Sequence, residues 1–175
     1  MKSITAGLAI LVLLLSTAGS APAQPAASEN AGVLLRNMML SSKSAAVRGK
    51  QAVVIMDAHS HDGVASLMSS TEGDASMYFS SGGVLIGGGE HRSVRAAAIA
   101  FARAVSKHKE AMQKTEDFPY PATGNVRFYL RTRDGVFFIE VAESELVADA
   151  HALSATYRQA EKVIAEYQKV MASAK

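Results

Sequence analysis

Two Asp-Gly pairs constrain this chain more than any other feature. Asp62-Gly63 sits inside residues 51–70, where Val53, Val54 and Ile55 open a β-branched run. Asp134-Gly135 sits inside residues 126–141, where Val126, Phe128, Leu130, Phe137, Ile139 and Val141 alternate with polar positions. Asp-Gly between such runs is the turn chemistry of a two-residue β-hairpin, because both central residues need positive φ. The chain therefore has to build antiparallel sheet. With Asp62-Gly63 as the turn, His61 pairs with Val64 and Asp57 with Met68. Strand side chains alternate, so Val54, Met56, Ala58, Ala65 and Leu67 form one face. Asp57, His59 and His61 fall on the other. Glu72-Gly73-Asp74 marks the next turn, and residues 76–80 and 83–86 read as two further short strands.

Three segments switch to helical spacing. Ala31, Leu34, Leu35, Met38 and Met39 predict a first helix to about Ser42, with Asn30 or Ser28 as N-cap. Val94, Ala98, Phe101, Val105, His108 and Met112 predict a long helix from near Glu90. Pro119, Pro121 and Gly124 place residues 115–125 in a loop. Leu146, Ala150, Leu153, Tyr157, Ala160, Ile164, Tyr167 and Met171 predict one last helix from about Ser144 to near Met171. The expected fold is α+β. A single antiparallel sheet built from hairpins packs with an N-terminal helix and two long amphipathic helices, which cover mainly one face.

Residues 1–23 read as a cleaved signal peptide. Lys2 is the basic n-region, residues 6–15 (AGLAILVLLL) are the apolar core, and Ala21-Pro22-Ala23 is a small-x-small cleavage site before Gln24. The apolar run is too short to span a bilayer of about 30 Å as a helix. Residues 24–29 form a tether and 30–175 a single domain. The expected destination is the periplasm or the extracellular medium. Removing 23 of the 175 residues leaves 152, enough for one core. The chain has no Cys, so no disulfide can staple it and no thiolate can serve as ligand or nucleophile. Without Lys2 the charge is 17 Lys plus Arg against 16 Asp plus Glu. That balance exerts little pull on nucleic acid.

One local motif suggests metal chemistry. Asp57-Ala58-His59-Ser60-His61-Asp62 puts a strand into an Asp-x-His-x-His string. Residues i and i+2 of a strand point the same way, about 6.6–7 Å apart, and two imidazoles leaning together can share zinc or another divalent ion. The string resembles the first metal-ligand motif of amidohydrolase-type enzymes, and the resemblance covers these six residues. It implies a metal held by Asp57, His59 and His61 and a metal-bound water as nucleophile; Glu90 or His91 would add a further ligand where the glycine turn folds back. Amidohydrolase barrels need roughly 200 residues or more, so the resemblance fits the chain's length poorly.

Gly87, Gly88 and Gly89 lead into a helix that carries His91, Arg92 and Arg95, a layout that can aim N–H groups and positive charge at an anion or small ligand. Neither the GxGxxG nor the Lys-Ser/Thr pattern of nucleotide loops is present. Arg127, Tyr129, Arg131 and Arg133 alternate on one strand, and cross-strand pairing with Glu140 accounts for that row. No serine sits in a GxSxG elbow. The sequence therefore favours an exported protein that acts by binding a small ligand or a protein partner. A small metal-dependent hydrolase is the alternative, and self-association through the long last helix, as a homodimer, is the third reading.

Overall fold

The computed structural model describes residues 30–41 and 51–173. The expected signal peptide with its cleavage site, the expected tether, Ser28 and most of the polar connection before Gln51 lie outside the described residues. In chain order the elements are α1 (Ala31–Ser41), β1 (Val53–Ser60), β2 (Gly63–Ser70), β3 (Ala75–Phe79) and β4 (Val84–Leu85). A 3-10 turn at Gly88–Glu90 precedes α2 (Arg92–Ser106), and another at Lys109–Ala111 precedes β5 (Gln113–Thr115). β6 (Asn125–Thr132), β7 (Gly135–Ala142), α3 (Glu143–Val147) and α4 (Ser154–Ser173) complete it. The strands form one antiparallel sheet of seven in the order β4-β3-β2-β1-β6-β7-β5. The fold is α+β, as the hairpin signals require. No described helix is long and apolar enough to cross a membrane.

Both hairpins form, each with a register two residues away from the simple reading. Ser60 pairs with Gly63 and Thr132 with Gly135, so His61-Asp62 and Arg133-Asp134 are the turn residues. Each glycine opens the returning strand, at φ +130° and +123°, conformations that a side chain would strain. Asp57 therefore faces Ser66, not Met68. A shift of two keeps every side chain on its expected face, and Val54, Met56, Ala58, Ala65 and Leu67 do share one.

α2 and α4 cover that face. Val94, Ala98, Phe101 and Val105 of α2 and Tyr157, Ala160, Val163, Ile164 and Tyr167 of α4 pack on Met56, Phe128 and Leu130. Phe101 and Phe128 meet with ring centroids 6.5 Å apart. α2 is shorter than its apolar stripe implies. It ends at Ser106, and a turn followed by the 3-10 turn at Lys109–Ala111 brings in Met112, whose extended backbone leads into β5, where Gln113–Thr115 pairs with the edge of β7. Covering that edge supplies hydrogen bonds that a longer helix would leave unmade.

The last helix is two helices. After α3 the chain closes a Schellman turn: Ala150 N–H donates to Glu145 O (2.9 Å) and Asp149 N–H to Leu146 O (3.4 Å), with Asp149 at φ +60°. Leu153 N–H then donates to His151 Nδ1 (3.1 Å) as α4 begins. Leu146 and Leu153, seven residues apart, both return to the same core across the break, while Ala150 between them is exposed.

The opposite face of the sheet is also covered, which the helix count alone did not indicate. α1 lies across it, and the 116–124 loop runs beside α1. Leu40, Val53, Ile55, Met68, Tyr78, Tyr129 and Val136 form a second, smaller apolar cluster there, with Leu35, Met39, Phe118 and Phe138 packed against it.

Candidate functional site

Pairing register places a polar row across five strands of the α1 face: Tyr78 on β3, Ser66 on β2, Asp57 on β1, Arg127 on β6 and Glu140 on β7. Apolar side chains flank the row on its β1-start side, with Met68, Ile55, Tyr129 and Phe138 at the next level. Burying a charge in such a place is costly unless it is paired. Asp57 is 0 % exposed, and its partner Arg36, from α1, is 1 % exposed.

Arg36 Nε lies 3.2 and 3.0 Å from the two Asp57 oxygens, and Nη2 donates to Oδ2. Ser66 Oγ donates to Oδ1 at 2.6 Å. Burial pushes the Asp57 carboxyl above its ordinary value, against the pull of Arg36 and Ser66. Burial also opposes the Arg36 charge, yet the bonds and proximity of Asp57 hold the guanidinium above its own ordinary value. The next carboxylate repeats the pattern at the surface. Glu140 Oε2 accepts from Arg127 Nε (2.6 Å) and Nη2, and Oε1 accepts from Asn125 Nδ2 (2.7 Å) and the Ala122 N–H (3.0 Å). Burial works against that charge too, but those donors hold Glu140 below the usual carboxylate value.

The remaining donors in and around the row reach for the loop. Phe118-Pro119-Tyr120-Pro121 offers carbonyls but few N–H groups, since proline has none. Arg36 Nη1 donates to Phe118 O (2.9 Å). Pro119 O accepts from the Tyr129 hydroxyl (2.6 Å) and from Arg127 Nη1 (3.0 Å). His59 Nε2 lies 3.1 Å from Pro121 O, which can only accept. The Tyr120 ring stacks on the Arg36 guanidinium, 4.3 Å from its centroid, and Phe118 meets Tyr129 edge-on at 6.0 Å. The sheet thus grips a proline-aromatic-proline segment by three carbonyls and two rings.

α1 is fastened in the same manner. Asn30 caps it through the Gly32 N–H (2.9 Å) and donates to Ser80 O (2.7 Å). Arg131 Nη1 donates to Met39 O (2.8 Å). Gly32 lies so close to β3 that a Cβ there would stand 2.4 Å from Phe79 O. Gly32, Arg36 and Leu40, spaced four apart, therefore face the sheet. Leu34 and Met38, about 160° around the helix from Arg36, face outward at 41 % and 54 % exposure. The apolar spacing that predicts this helix is centred away from the side that packs most closely: Leu35 and Met39 reach the apolar cluster, Leu34 and Met38 do not.

The structure separates the Asp-x-His-x-His string. Asp57 is buried under Arg36, and His59 is half-buried against the loop. His61 is a turn residue, its side chain 95 % exposed beside Asp62. Among the described residues no group of three or more His, Asp or Glu side chains is gathered as a metal site requires. Glu90 and His91 are no closer to completing one. Gly89 packs on Gly73, just past the far end of β2 from the His61 turn.

The glycine turn is shaped by packing. A Cβ on Gly88 would lie 2.0 Å from the Tyr167 hydroxyl oxygen, and one on Gly89 would lie 2.7 Å from Gly73 O. Gly87 takes φ +85°. His91 caps α2 without a side-chain bond, Arg92 is exposed, and Arg95 lies over Gly73. Of the arginine row, Arg127 pairs with Glu140 directly across the strands. Tyr129 and Arg131 are buried, so the row is not an outer face.

Sequence reasoning passed over Arg36, Ser66, Tyr120 and Pro119. Arg36 was legible only as the polar member of a Gly-x-x-x-Arg-x-x-x-Leu repeat, and the loop only as Phe-Pro-Tyr-Pro. A scan of family models, a search of curated proteins and a search of solved structures each found no match.

Proposed function

We propose that the chain is an exported binding protein whose recognition face is the side of the sheet under α1 and the 116–124 loop. One observation carries the reading. The ionisable side chains gathered on this face spend their hydrogen bonds on one another and on the backbone carbonyls of a proline segment. That is the chemistry of holding a chain. A general base needs reach to a substrate proton, and here Asp57 is enclosed by Arg36 and Ser66. The outward Leu34 and Met38 add apolar surface on the same side. Export rests on residues 1–23 as read from sequence. The metal-hydrolase alternative draws less support, since among the described residues no three His, Asp or Glu side chains are gathered. Self-association through α4 draws on little, since its stripe is buried down to Tyr167 and of its large apolar side chains only Met171 is strongly exposed.

A photo-crosslinking amino acid placed at Tyr120 in the producing cell tests this. A protein adduct is expected at position 120 and not at Arg158, which is exposed on α4. Equal labelling at both positions, or none at 120, would overturn the reading.

A further inference from the structure

Resting on that recognition reading, we infer that the group of Arg36, His59, Arg127 and Tyr129 is a site for an extended proline-aromatic-proline peptide, and that residues 118–121 occupy it as a built-in ligand. Segments rich in proline cannot pair as strands, because they lack N–H donors, so proteins that bind them supply donors to carbonyls and flat rings to the side chains. This face supplies both. The donors stand at the Phe118, Pro119 and Pro121 carbonyls, at 2.9, 2.6 and 3.1 Å. The Arg36 guanidinium and the Tyr129 ring lie against Tyr120 and Phe118. Two arginines, a histidine and a tyrosine anchored on α1, β1 and β6 form the cradle, and none of these side chains belongs to the segment they hold.

A segment tethered in its own cradle competes at an effective concentration in the millimolar range. The site in the resident state should therefore resist free peptide, and a partner carrying the same pattern must displace residues 118–121.

The test uses a synthetic peptide of residues 116–123 and the full mature chain carrying Pro119→Gly, Tyr120→Gly and Pro121→Gly, which removes the stacked ring and the proline stiffness and so loosens the resident segment. The loosened variant is expected to bind the peptide at least about tenfold more tightly than the unaltered chain does, given that tethered competition. Adding Tyr129→Phe should weaken binding about three- to tenfold, the worth of one neutral hydrogen bond. A peptide with alanine at both prolines should not bind. A loosened variant that melts cooperatively yet binds no better than the unaltered chain overturns the proposal.

Should that variant not fold, fluorotyrosine in the unaltered chain gives the second readout. Millimolar peptide should shift the Tyr120 resonance, assigned by its loss in Tyr120→Phe, and an unmoved resonance overturns the proposal. A cross-link at Tyr120 without peptide binding would overturn this inference alone and leave the recognition reading standing.

Discussion

The two faces of the sheet are held by different physics. Under α2 and α4, the contact is a run of fully buried apolar side chains around Phe101, Phe128 and Leu130. Under α1 and the 116–124 loop, the apolar cluster is smaller, and the cover is fastened at points: Asn30 to Ser80 O, Arg36 to Asp57, Arg131 to Met39 O, and four donors to the loop carbonyls. Apolar burial is non-directional and spread over area. A pinned cover is directional, and each pin can be removed separately. The first arrangement suits a scaffold, and the second suits a surface that has to admit something.

The largest effect should come from the apolar face. Phe101 is fully buried against Phe128, so Phe101→Ala should cost about 3–5 kcal/mol of stability. Urea unfolding followed by circular dichroism measures this, and the loss should appear in one cooperative transition. A loss below about 1 kcal/mol would mean that this face is not the scaffold.

The pinned face should respond next, and with a signature of its own. Arg36→Met leaves the Asp57 charge buried and unpaired, at a cost of about 3–5 kcal/mol. Part of that cost can be avoided if α1 lifts from the sheet. Hydrogen exchange should therefore rise on α1 and the 116–124 loop before it rises on β1. Combining Arg36→Met with Asp57→Leu removes both charges and should recover most of the loss, because a buried ion pair and an apolar pair are close in net stability. If the double variant is as unstable as the single one, the pair contributes through more than charge balance.

The difference between the faces also explains what could be read in the sequence. Val54, Met56, Ala58 and Leu67 declared their face through strict alternation, because an apolar core selects residue type at every second position. Asp57 sat in the same alternation and was assigned to the correct side, but its burial depends on Arg36, 21 residues away. No local pattern encodes that pairing. In α1 the apolar spacing was present but centred off the packed side: Leu35 and Met39 reach the cluster and Leu34 and Met38 do not, since Gly32 and Arg36 decide which side meets the sheet. The Asp-Gly turns were legible to within two residues. The Schellman break after α3 was hidden, because Leu146 and Leu153 keep their spacing across it. Phe-Pro-Tyr-Pro read as a loop and nothing more, because its role lies in the donors that three other elements bring to it.

The finest comparison needs two serines in one strand. Ser66 and Ser69 are both buried in β2, on opposite faces. Ser66 donates to the Asp57 carboxylate at 2.6 Å. Ser69 faces the apolar side beside Val54 and Ala75, and its hydroxyl has no hydrogen-bond partner. Removing a hydroxyl that serves a buried charge costs about 1.5–3 kcal/mol, whereas removing one that was buried unmade relieves a desolvation penalty. Ser66→Ala should therefore destabilise the protein, and Ser69→Ala should leave it unchanged or more stable by about 1 kcal/mol. The two variants differ from the parent by the same atom, so differential scanning calorimetry compares the faces with the chemistry held constant. Equal losses at both positions would show that polar side chains matter alike on the two faces, and the distinction between scaffold and pinned cover would fail.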